Sequence, residues 1–295
     1  MKKKTIYKIA CCLTAGFLLC SCGKKEEALD RPYSFTERSF PVELTDSTDG
    51  YASLFASDLC VVTDESQYSP SDTTSEAAGL FDITDGQVMY SKNAFERLYP
   101  ASITKVMTAL LTLEHGNMDD EITLKHDINL TEDGAVISTL TKGDTVTVGQ
   151  VFHTMLIKSA NDCAVILAEY VAGSEAKFID MMNERARELG ATHTHFVNPN
   201  GLHNNDHYTT AYDLYLIFKE AVKHEEFVDT VSSKDYTMTY TTAKKTQINE
   251  YMQSTNYYLL NEFPVPEGVV MYGGKTGTTS MAKSCLILMT KNKKG

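Results

Sequence analysis

The chain has 295 residues, 42% of them apolar and 22% charged, an ordinary composition for a folded protein with a sizeable core. Its formal net charge is −12, and no cluster of Lys or Arg lies beyond the N-terminus, which argues against binding to a nucleic-acid backbone.

Residues 1–22 read as an export signal. Lys2, Lys3 and Lys4 form a basic start. Residues 9–20 are apolar but too few to span a bilayer, and no later segment approaches the length needed. The run Leu19-Cys20-Ser21-Cys22-Gly23 resembles a bacterial lipobox. That pattern implies Cys22 as a lipid-bearing mature N-terminus and a protein held extracytoplasmically on the bacterial cell membrane. Without the first 22 residues, 23 basic residues face 39 acidic ones, a net charge near −16. Four of the seven cysteines fall in this segment. Cys60, Cys163 and Cys285 remain, far apart and odd in number, so they are expected as small buried apolar side chains rather than a disulfide framework. Residues 23–48 are polar without periodicity and read as a flexible tether. The folded domain is expected over 49–295, with a polar loop at 63–76.

Within that domain, residues 79–90 predict a hairpin around the Asp85-Gly86 turn signal. A helix follows from Ser102 to about His115. Val106, Ala109, Leu110 and Leu113 hold helical spacing, and Met107 and Leu111 make the opposite face apolar too, so it should be buried all round. Gly116 marks its end. Further helices are expected over 148–156, 162–171 and 175–189, the last stopped by Gly190. Thr210 with Asp213 three residues on is a capping pattern that opens a helix to about 223. Strands are expected at 236–240, 269–275 and 284–290. Strands near both ends with helices between predict an α+β fold, one antiparallel sheet built from both chain ends around a helical cluster.

Three short motifs occur in order: Ser102-Ile103-Thr104-Lys105, Ser159-Ala160-Asn161 and Lys275-Thr276-Gly277. Each alone is common. Together, at a buried helix start, a helix break and a strand after two glycines, they are specific. Ser102 and Lys105 share a face of the first turn. A lysine buried there, near another cation, loses its charge readily and becomes a base for the serine hydroxyl.

At these motifs the chain resembles the low-molecular-mass penicillin-binding D-alanyl-D-alanine carboxypeptidases, a serine peptidase family with a β-lactamase/transpeptidase-like fold. The likeness extends to Pro100-Ala101 before the first motif, to Asp162 after the second, to Asn198-Pro199-Asn200-Gly201-Leu202-His203 and Tyr208-Thr209-Thr210-Ala211-Tyr212-Asp213, and to Gly273-Gly274 and Thr278 around the third. It covers about residue 80 to the end. It implies Ser102 as nucleophile, Lys105 as its base and Ser159 as proton relay. It implies Asn161, Lys275, Thr276, Gly277 and Thr278 as the substrate-binding set, with the N–H groups of Ser102 and Thr278 as oxyanion donors. The partners implied are the D-Ala-D-Ala end of peptidoglycan stem peptides and β-lactam antibiotics. No cofactor and no metal is implied.

Two rivals stand beside this reading. A class A β-lactamase shares the motifs but also has a Glu-x-x-x-Asn pattern after the second, absent between Ser159 and Lys275. A catalytically silent cell-wall binding protein could use the same fold. Against the family pattern, a last strand and helix after residues 284–290 appear absent, which suggests a partial sequence. His193-x-His195 and His203-x₃-His207 have metal-like spacings but lie in a Gly/Asn/Pro-rich loop, and loop histidines are the better reading. The Tyr-rich stretch 251–258 is read as packing rather than a sugar platform.

Overall fold

A computed structural model describes residues 59–62, 73–130, 132 and 135–292. The proposed signal, the tether and Cys22 lie outside these residues. Two strands, β1 (Ala78–Asp82) and β2 (Gln87–Lys92), form the expected hairpin. The turn between them carries Gly86 at φ 65°, in the left-handed region that Asp-Gly turns use. A 3₁₀ turn over Ala101–Thr104 leads into helix α1 (Lys105–His115), followed by short strands β3 (Glu121–Thr123) and β4 (Thr145–Thr147). Helices α2 (Val148–Ile157), α3 (Asn161–Ala172), α4 (Glu175–Glu188), α5 (Ala211–Ala221) and α6 (Glu225–Ser232) come next. Strands β5 (Asp235–Thr241), β6 (Gln247–Gln253), β7 (Val269–Thr279) and β8 (Lys283–Asn292) complete the described chain.

Strands therefore occupy both ends and helices the middle, the α+β arrangement expected. The single sheet expected from both chain ends is not formed within the described residues: no ladder pairs β1–β2 with β7–β8, which are separate two-stranded antiparallel ladders, and β3-β4-β5-β6 form a third sheet. The four-stranded sheet was not anticipated: β3 and β4 have three residues each, too few to display alternation.

Helix α1 is the axis of the core. Every residue from Lys105 to Thr112 is buried, as its two apolar faces require. Phe152, Met155 and Leu167 from α2 and α3, Phe178 from α4 and Phe227 from α6 join one continuous apolar cluster with Met107, Leu110 and Leu111. Such a cage leaves α1 no freedom to rotate, so the residues at its start are held fixed. Gly116 does end α1, but its φ is −110°, so left-handed capping is not the reason for glycine. A Cβ there would come 2.8 Å from both the Thr112 carbonyl oxygen and the Tyr170 ring. Gly190 does adopt a left-handed φ of 81° just beyond α4.

Thr210 caps α5 as expected, accepting the Asp213 N–H at 3.0 Å. The Asp213 carboxylate does not reciprocate. It accepts from the His193 N–H at 2.8 Å and the Thr194 hydroxyl at 2.7 Å, tying α5 to the loop before the Asn-Pro-Asn-Gly segment. Cys60 and Cys163 are buried free thiols, and Cys285 is a half-buried free thiol on β8.

Candidate active site

The three motifs converge at the start of α1. Ser102 lies in the 3₁₀ turn, and the tight geometry places the Lys105 ammonium nitrogen 2.8 Å from Ser102 Oγ. Lys105 is fully buried. Its Nζ has two further partners, Asn161 Oδ1 at 2.8 Å and the Asn200 carbonyl oxygen at 2.6 Å. Neither of these two can donate to it. A neutral amine with two N–H bonds satisfies both and keeps its lone pair for the Ser102 hydroxyl proton. Burial, and then the nearby Lys275 charge, push the Lys105 pKa well down and favour that neutral form.

The second motif bridges the end of α2 and the start of α3. Ser159 has φ 65°, a strained conformation for a residue with a side chain. Asn161 uses its amide nitrogen to bond the Val136 carbonyl at 3.0 Å, and its backbone N–H bonds the same oxygen at 2.8 Å. One amide proton of Asn161 remains for a ligand. Asp162 receives both the N–H and the hydroxyl of Ser138. This strap holds residues 135–138 against the motif, and Val136 and Ile137 present exposed apolar side chains beside it.

The third motif lies on β7. Lys275 Nζ donates to Ser159 Oγ at 2.9 Å and to the Thr276 carbonyl at 2.9 Å. Burial brings its pKa down to about 7. Burial alone acts on Lys275, whereas Lys105 also feels the Lys275 charge, so Lys105 is the lysine whose neutral form the site favours. Thr276 Oγ1 contacts Thr255 Oγ1 of the β6–β7 loop. Gly277 fits because a Cβ there would approach Ser102 N to 2.9 Å and the Pro100 carbonyl to 3.1 Å. That closeness brings the strand segment at Thr278, exposed at the next position, up to the Ser102 turn.

Ser102, Lys105 and Asn161 thus form one hydrogen-bonded group and Ser159 and Lys275 a second, with Thr276, Gly277 and Thr278 on the strand that bears Lys275. Among the described residues no carboxylate hydrogen-bonds to Ser102, Lys105 or Ser159. No group of three or more His, Cys, Asp or Glu that could hold a metal occurs among them either.

Several site residues were not legible as such in the sequence. Asn200 bonds Lys105 through its main chain, which no side-chain pattern reveals. Gly201, at φ 85°, packs so tightly on the 101–104 turn that a Cβ would overlap the Ala101 carbonyl oxygen. Thr108 reaches the same loop, donating to the Pro199 carbonyl at 2.6 Å. His207 was expected as an ordinary loop histidine, yet it is 2% exposed and bonded to Thr104 of the first motif. The tyrosines of the 251–258 stretch divide. Tyr251 on β6 and Tyr257 are both exposed, and Tyr257 and Tyr258 meet the likewise exposed Phe263 edge-on at 5.5 and 5.6 Å.

A family model described as D-alanyl-D-alanine carboxypeptidase, peptidase S11, matches residues 63–295. The D-alanyl-D-alanine carboxypeptidase DacF of Bacillus subtilis is 37% identical over 223 residues, covering 73% of this chain and 54% of that protein. DacC of Escherichia coli is 33% identical over 212 residues, covering 69% and 50%. The chain spans about half the length of these curated relatives. A serine-to-alanine mutant of the Streptomyces K15 DD-transpeptidase superposes with a TM-score of 0.68 at 28% identity, over 75% of this chain and 88% of that one. With the family model spanning most of the chain and the fold shared with that enzyme, this chain belongs to the peptidase S11 family of D-alanyl-D-alanine carboxypeptidases.

Proposed function

We propose that this protein is a serine-type D-Ala-D-Ala carboxypeptidase that removes the terminal D-alanine of peptidoglycan stem peptides and is acylated by β-lactams. The observation that carries the reading is the buried Lys105 amine held between Ser102 Oγ, Asn161 Oδ1 and the Asn200 carbonyl, with Lys275 and Ser159 paired opposite.

Lys105 Nζ takes the Ser102 proton as Oγ bonds to the carbonyl carbon between the two D-alanines. The N–H groups of Ser102 and Thr278 receive the developing oxyanion, a contribution of roughly 3–4 kcal/mol per donor in such sites. As the C–N bond breaks, the Ser159 hydroxyl passes a proton to the leaving amine, with the Lys275 ammonium donating to Ser159. The free amide proton of Asn161 bonds the substrate amide. Lys275 and Thr276 hold the terminal carboxylate, and Gly277 lets their strand pack against the Ser102 turn. Water then cleaves the Ser102 ester and restores the enzyme. A β-lactam follows the same path to an ester that hydrolyses slowly.

The lipobox resemblance supports export, lipidation at Cys22 and attachment to the outer face of the cell membrane, with residues 23–48 as tether and 49–295 as the catalytic domain. No described helix is long and apolar enough to cross a membrane.

The test is release of free D-alanine from an acylated D-Ala-D-Ala peptide, run beside hydrolysis of a β-lactam. Turnover of the peptide with a persistent β-lactam adduct is the expected result. Rapid β-lactam turnover without peptide cleavage would instead mean a β-lactamase. Binding of either without covalent change would mean a silent binding protein.

A further inference from the structure

We infer that His207 is a positioning residue for the reaction: through Thr104 it fixes the peptide plane between Ala101 and Ser102, and so aims the Ser102 N–H at the oxyanion. This inference rests on the acyl-enzyme reading above and deepens it.

The proton positions follow from donor rules. The Val197 N–H donates to His207 Nδ1 at 3.1 Å, so Nδ1 carries a lone pair. In a neutral ring the proton then sits on Nε2. Nε2 lies 2.7 Å from Thr104 Oγ1 and donates to it. Thr104 is left with its own proton, which goes to the Ala101 carbonyl oxygen at 2.8 Å. Every donor in the relay Val197, His207, Thr104, Ala101 has one acceptor, and the chain runs one way. Burial, with His195, His203 and Lys105 close by, brings the His207 pKa down to about 4 and keeps the ring in this neutral form.

The end of the relay is what matters. Ala101 has φ 48°, a left-handed conformation that is strained for a residue with a Cβ. Such a conformation persists only where its surroundings impose it. Gly201 crowds the Ala101 carbonyl oxygen from one side, and the Thr104 hydroxyl holds it from the other. The Ala101 carbonyl and the Ser102 N–H belong to the same planar trans peptide and point in opposite directions. Fixing the oxygen therefore fixes the N–H. Thr104 alone could rotate its hydroxyl to other acceptors. The His207 donor occupies one Thr104 lone pair and leaves the hydroxyl proton directed at Ala101. Thr104 and His207 are both buried, 1% and 2% exposed, so water does not compete.

The test measures the second-order rate of Ser102 acylation by a fluorescent penicillin, per active site titrated, together with melting temperature. His207→Phe keeps a ring and removes both hydrogen bonds. It is expected to slow acylation per site by about 10- to 100-fold, the scale of a small misplacement of a catalytic group. His207→Gln carries both an N–H donor and a carbonyl acceptor and is expected to recover most of the rate. Thr104→Val removes the hydroxyl at constant shape and should show a similar loss. The double variant Thr104→Val/His207→Phe should be little worse than either single one, because both break one relay. If His207→Phe does not fold, Thr104→Val and His207→Gln decide the matter alone. A variant that melts earlier yet acylates at the wild-type rate per site overturns the inference and leaves His207 merely structural. Absence of label on Ser102 in the wild-type protein would overturn the functional reading instead.

Discussion

At the scale of single residues, the proposed chemistry rests on two lysines, 2.8 and 2.9 Å from two serines, in different environments. Lys105 has no exposed surface and feels the Lys275 charge, and both effects favour its neutral form. Replacing Lys105 with Met removes the base at similar volume. Acylation by penicillin should fall by about 10²- to 10⁴-fold in a stopped-flow assay, the usual range for a lost general base. Lys275, at about 7 in the unliganded site, must be charged to hold a carboxylate. The plot of kcat/KM against pH should therefore fall on its alkaline side from about pH 7 upward. An alkaline limb unchanged in Lys275→Arg would disprove that assignment. His207 gives a second pH effect, on stability. Its folded pKa of about 4 lies below the ordinary 6.5, so between those values the unfolded chain binds a proton that the native chain does not. Stability present above about pH 6.5 is lost as pH falls toward 4, by ~3 kcal/mol from this ring. Denaturant titrations at pH 7 and pH 4.5 should show a smaller drop in His207→Phe than in wild type.

At the scale of elements, the site depends on loops that the core holds in place. The 198–202 segment is lashed to α1 through Thr108 and Lys105, and within itself by Asn198, which accepts the Gly201 N–H at 2.7 Å. Gly201→Ala would combine a left-handed φ with overlap on the Ala101 carbonyl. It should cost more than ~2 kcal/mol and suppress acylation in whatever fraction folds, measured by thermal melting and active-site titration. Thr210→Ala provides the contrast. It removes only the α5 cap and should cost about 1 kcal/mol while acylation per site is retained. The same contrast explains what could be read in advance. Helix α1 announces itself through apolar periodicity, α5 through its Thr210 and Asp213 capping pattern, and the three motifs through residue identity. The eight-residue α6 has too few turns for its pattern to stand out. The contribution of Asn200 is made by a main-chain carbonyl and that of Gly201 by an absent atom, and neither leaves a mark in side-chain chemistry.

At the scale of the molecule, residues 102, 159 and 275 reach one point because α1 is caged on all sides and the strand bearing Lys275 packs on both the nucleophile turn and α6. A Cβ on Gly273 would approach the Val231 carbonyl of α6 to 2.5 Å, so glycine there permits that contact. The sequence predicted α+β with strands from both ends, and the fold agrees. Its four-stranded sheet escaped notice because half of it consists of three-residue strands. His207 was misread for a related reason: a loop rich in Gly, Asn and Pro suggests solvent, whereas tertiary packing buries this ring beneath the nucleophile turn. The central claim is that Ser102 is the acylated nucleophile. The direct measurement is peptide mass spectrometry after incubation of residues 23–295 with penicillin, beside Ser102→Ala. A mass increase of one penicillin is expected on the peptide containing Ser102, and none in the variant. An adduct on another residue, or no adduct on folded protein, would contradict that claim.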